Sequence, residues 1–118
     1  MPYTETLAIE VRRLLTDVPK VREKKMFGGL AFMVADKMCV TVGDDRMMFR
    51  IAPALHEEAI RHPRCKTVVM RGRQYVGFVR VAFKGIKQSK EIAHWTLMAL
   101  AYNRQIVGQK PKTRTRSL

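Results

Sequence analysis

The residues equipped for chemistry are few, and their spacing argues against most of it. Asp44-Asp45 is the most conspicuous carboxylate pair, but adjacent residues in a Gly-Asp-Asp-Arg turn point apart, whereas a general acid and base must face one substrate. Glu57-Glu58 falls early in a short helical pattern, where acids complement the helix dipole. His56, His62 and Cys65 are the nearest approach to a metal set; the spacing of the histidines puts them on different helix faces, and no fourth ligand is evident. His94 stands beside Trp95 with no serine or cysteine in a nucleophile context. The chain is therefore expected to have no catalytic residues, no metal and no cofactor, and not to be an enzyme.

Residues 24–32, KKMFGGLAF, pose the sharper question. A phosphate-binding loop needs a strand before its glycines, a further glycine or a Gly-Lys-Ser/Thr ending, and a helix whose N-terminus receives the anion. All are missing. Gly28-Gly29 opens a strand pattern, so a bulge or close backbone approach at a sheet edge is the expected use, with Lys24 and Lys25 near enough to touch an anion.

A chain of 118 residues with 47% hydrophobic residues supports one core and one domain. Its formal net charge is +13, and no acid occurs between Glu58 and Glu91, a stretch rich in Arg and Lys. Such an imbalance favours acidic or polyanionic partners. The candidate nucleic-acid footprint is Lys20, Arg22, Lys24 and Lys25, then Arg71 and Arg73 in a hairpin turn, then Lys110, Lys112, Arg114 and Arg116. These would neutralise phosphates without reading bases, since no helix-turn-helix, zinc finger or RNP-like aromatic pattern accompanies them. Two isolated cysteines, Cys39 and Cys65, and an N-terminus interrupted by Glu5 and Glu10 suit a cytoplasmic protein with neither signal peptide nor membrane association.

Leu7, Val11, Leu14 and Leu15 recur at helical spacing behind Thr4 and Glu5, and Pro19 closes the pattern. Runs at 27–35, 38–42 and 46–51 read as a three-stranded meander. Pro53 starts a short helix that Pro63 ends. Runs at 67–70 and 75–83 flank Gly72 as a hairpin. Ile92, Trp95, Ala99, Tyr102 and Ile106 form the stripe of a last helix starting at Ser89 and stopping at Gly108. The expected fold is α+β, a single antiparallel five-stranded sheet in the order α-β-β-β-α-β-β-α with helices largely on one face, comprising a domain over 1–108 and a basic disordered tail over 109–118. Most methionines are expected in the core, with Met48 turned outward beside Arg50 as a partner-binding patch.

The segment KKMFGGLAFMVADKMCVTVGDDRMMFRIAP resembles the N-terminal domain of the TfoX/Sxy family, in which Met-Phe-Gly-Gly opens the first strand of such a meander. Gly72-Arg73 before VGFVRV and the Trp95 helix extend the likeness over residues 5–106. Met26, Phe27, Gly28 and Gly29 carry the motif in a structural role. Two departures stand out: the turn that usually carries a glycine reads Ala35-Asp36, and Ala52 replaces an acid often found before the proline.

The resemblance implies a secretion-chaperone-like fold, no established enzymatic site, and a link to transcriptional regulation of competence in bacteria. Longer relatives append a second, helical domain, so this chain is read as a short stand-alone member. The expected function is a regulatory or adaptor domain working through protein contacts, with transcription machinery as a protein partner. The alternative is a sequence-nonspecific nucleic-acid-binding module using the basic surface and tail. In either reading the chain is expected as a monomer or homodimer.

Overall fold

The computed structural model describes residues 3–26, 28–44, 46–83 and 89–116, with side chains described for 90–107 in the last segment. Helix α1 spans Glu5–Leu14, and strands β1 to β4 span Val21–Met26, Gly29–Val34, Lys37–Val42 and Arg46–Arg50. A 3₁₀ turn over Pro53–Leu55 leads into the short helix α2, His56–Ala59. Strands β5, Cys65–Met70, and β6, Arg73–Ala82, precede helix α3, Ser89–Arg116. Among the described residues the strands form one antiparallel six-stranded sheet in the order β1-β2-β3-β4-β6-β5.

This corrects the five-stranded expectation. The additional strand, β1, pairs with β2 from Val21↔Val34 to Met26↔Gly29, yet its four central residues, Arg22 to Lys25, are all exposed. An edge strand charged on both faces lacks the apolar alternation by which strands are read, and its charges discourage pairing with other chains. Helix α3 also runs beyond the stop expected at Gly108, to Arg116.

Alternation along the strands divides the sheet into two faces. Leu30, Phe32, Val34, Val40, Val42, Met47, Phe49, Val79 and Val81 turn inward and meet Leu7, Val11, Ala59, Ile92, Trp95 and Ala99 from the helices in one hydrophobic cluster. The helices thus cover one face, as their periodicity predicts. Phe49 and Trp95 stack at its centre with ring centroids 6.1 Å apart. The stripe on α3 is rotated from the expected one: Thr96, Leu100 and Asn103 are buried while Tyr102 is half-buried. Asn103 Nδ2 donates to the Val34 carbonyl at 3.2 Å, fastening α3 to the end of β2.

The double glycine serves the sheet. Gly28 lies in the β1–β2 turn with φ +71°, which a side chain would strain, and a Cβ on Gly29 would run into the Val42 carbonyl oxygen of β3. Phe27 lies outside the described residues.

Candidate binding face of the sheet

The face away from the helices is built by the outward residues of the same strands. Cross-strand register places Lys24, Ala31, Thr41, Met48, Arg80 and Lys66 on one line running from β1 to β5. A neighbouring line carries Arg50 opposite Phe78, and another carries Arg46 opposite Ala82. Arg50 is half-buried, with its guanidinium carbon 5.4 Å from the Phe78 ring centroid and 5.7 Å from that of Tyr102. Such cation–π contacts hold the group while leaving it charged. Among the described residues Lys24, Arg46, Lys66 and Arg80 form no ion pair. Met48 is half-buried on this face beside Arg80.

The residues expected to grip phosphate are not gathered into one patch. Lys20, Arg22, Lys24 and Lys25 are exposed at the β1 edge, and Arg22 is 3.7 Å from Asp36. Arg71 in the β5–β6 turn and Arg73 at the start of β6 are exposed, toward the opposite edge of the sheet. The backbone of Lys110, Lys112, Arg114 and Arg116 belongs to the last turns of α3, and their side chains lie outside the described residues. Arg46 on β4 and Arg80 on β6 lie between the edges and Lys66 lies on edge strand β5; in the sequence Lys66 and Arg80 stood out only as part of the acid-free stretch, and Arg46 not at all. Outward phase in β4, β5 and β6 was the available signal, but it becomes a shared surface only when the strand order is known.

The candidate chemical groups are dispersed or structurally occupied. His56 is buried; its Nδ1 accepts the Gly77 N–H at 2.9 Å, so Nε2 carries the hydrogen and donates to Thr67 Oγ1 at 2.8 Å. His62 packs edge-on against Trp95 and sits 3.6 Å from Glu91, which also lies 3.5 Å from Arg64. His94 is exposed on the same indole. Asp44 is exposed in its turn, and Asp45 lies outside the described residues. Cys39 and Cys65 are free and buried, and burial pushes the two thiols up to about 12 and about 11. On the helix side, Arg12 grips Glu23 of β1 through Nε at 2.7 Å and Nη2 at 3.0 Å, which holds that carboxyl below its usual range. No cluster of three or more His, Cys, Asp or Glu suited to a metal occurs among the described residues, and no helix there is long and apolar enough to cross a membrane.

The helices and the six-stranded sheet define an α+β domain. The TfoX N-terminal domain matches residues 13–102, and the chain belongs to that family, whose membership supports a general regulatory or adaptor role. No curated protein matches the chain. In the crystal structure of Deinococcus radiodurans protein DR2400, which carries a DUF419 domain, a similar fold is found at 17% identity and TM-score 0.58, covering 79% of this chain and 75% of that one. At that identity the likeness is one of fold.

Proposed function

We propose that this chain is a regulatory adaptor domain, tied to transcriptional control of competence, that docks an acidic protein partner on its open sheet face. The observation supporting this reading is that adaptable Met48 shares the outward sheet face with Lys24, Arg46, Lys66 and Arg80, cations that form no ion pair among the described residues. The test is a transcriptional reporter for competence genes in the encoding bacterium, with the chain deleted and then restored as wild type or as the Lys66→Glu/Arg80→Glu variant. Both substitutions are at exposed positions, so the variant is expected to fold by circular dichroism and to fail to restore the reporter. Full restoration would remove the sheet face from the mechanism.

A second reading rests on the line that puts Lys24, Arg80 and Lys66 in register across the sheet, cations able to neutralise phosphates without reading bases. In it, residues 109–118 act as a separable basic extension of the domain over 1–108. Fluorescence anisotropy of labelled duplex DNA, single-stranded DNA and RNA across a salt series, for the full chain and a variant ending at Gly108, discriminates the two. Nucleic-acid binding predicts submicromolar affinity at physiological salt, and a duplex log–log salt slope that becomes shallower by about 3 to 4 when the four tail cations go. Binding that vanishes by about 150 mM salt leaves the protein partner as the function.

A further inference from the structure

On the outward face a half-open cavity of about 160 Å³ lies where the β1–β2 turn, β3, β4 and the β5–β6 hairpin meet. Its polar wall is Thr41, Arg46 and Arg80, its apolar wall includes Met48 and Met70, and Asp44 stands at one side. Thr41 is only 6% exposed, and its hydroxyl oxygen is buried with no hydrogen-bond partner among the described residues. A buried hydroxyl left unpaired is costly, and most such groups in folded proteins are paired. Thr41 and Met48 are opposite each other in register, so the hydroxyl belongs to the face that the cavity opens on. Arg46 and Arg80 are diagonal neighbours across β4 and β6, exposed and without an ion-pair partner among the described residues.

We infer that this cavity is a binding site for a carboxylate carried on a short aliphatic stem. Two guanidinium forks and one hydroxyl supply donors for a carboxylate's acceptor sites. The thioether side chains of Met48 and Met70 provide an adaptable apolar wall for the stem. Asp44 lowers the local positive charge, which disfavours a phosphate dianion relative to a monoanion. The same chemistry is offered by a free small carboxylic acid and by the Glu side chain of a docked protein. The inference rests on the cavity itself and goes beyond the reading of the face as a docking surface.

The test is titration of the isotope-labelled full chain, followed by backbone amide and methionine methyl resonances, with sodium butyrate, with an acidic peptide rich in Glu, and with inorganic phosphate. Saturable shifts are expected at Gly29, Thr41, Gly43, Met48 and Met70 with either carboxylate. Affinity is expected to fall about tenfold in Arg80→Gln, the scale of one lost charge-assisted contact. Thr41→Val is expected to weaken carboxylate binding while raising the melting temperature of the free protein, because it removes the unpaired hydroxyl; this variant separates a site from a folding defect. Tighter binding by the peptide than by butyrate assigns the carboxylate to a protein partner, and the reverse assigns it to a free acid. The inference is overturned if neither carboxylate shifts these resonances, if phosphate matches or exceeds butyrate, or if the shifts survive unchanged in both variants. Because butyrate needs no partner, this result stands apart from the reporter experiment on the face.

Discussion

At the residue scale, His56 shows how a group that looks reactive is spent on structure. Its ring bridges Gly77, 21 positions away, and Thr67, 11 positions away, with both nitrogens used. Replacement by Ala leaves the Gly77 N–H without its acceptor and opens a void beside Thr67. His56→Ala is expected to cost about 3 kcal/mol in urea denaturation, combining a lost buried hydrogen bond with a cavity. A loss under about 1 kcal/mol would mean that water replaces the imidazole without penalty. In the sequence His56 was legible only as a weak metal candidate, because neither hydrogen-bond partner is near it along the chain. Thr41 and Asn103 were passed over for a similar reason: their burial comes from the crossing of separate elements.

At the scale of elements, the turns carry conformations that their residues do not favour equally. Ala35 and Asp36 join β2 to β3 with φ +52° and +65°, the primed hairpin geometry for which Asn-Gly is best suited. The absence of the usual glycine, noticeable in the sequence, is therefore a backbone cost. The double substitution Ala35→Asn/Asp36→Gly is expected to gain about 1 kcal/mol in chemical denaturation, since the ion pair of Arg22 with Asp36 is exposed and contributes little. The opposite result is expected one hairpin earlier, where Gly29→Ala forces Val42 away and should lose about 1–3 kcal/mol. If Gly29→Ala were neutral, the close approach of β2 to β3 would have no structural role. The meander β2–β4 and the β5–β6 hairpin were legible as short apolar runs bounded by turn residues; β1 was not, because Arg12 and Glu23 tie it to α1 through charge while its core-facing contribution is slight.

At the scale of the whole molecule, packing of the helices on one sheet face creates the environment that sets the cysteine chemistry. The buried thiols of Cys39 and Cys65 are pushed up to about 12 and about 11, above the 9.0 taken for a free thiol. Above pH 9 the unfolded chain loses these protons while the folded chain retains them, so the unfolded state binds fewer protons and stability falls as pH rises. The contribution is fully present below about pH 9 and is lost progressively up to about 12, at up to ~1.4 kcal/mol per pH unit for each thiol. Urea denaturation at pH 8, 9 and 10, as working conditions chosen around the free-thiol value, should show a shallower alkaline decline in Cys39→Ala than in the wild type. Equal declines would show that Cys39 is not the group responsible.

From the sequence alone came the α+β class, helices largely on one sheet face, the outward turn of Met48 and the excess of positive charge, because each follows from local periodicity or from counting. The MFGG segment also carried the family likeness without any coordinates. Strand order was decided only by tertiary structure, and with it the sixth strand, the separation of the expected basic clusters to opposite sheet edges, and the cavity that joins Thr41, Arg46 and Arg80. The physical reason is that a strand's own pattern says which face a side chain takes, whereas its lateral neighbours are fixed by long-range backbone pairing.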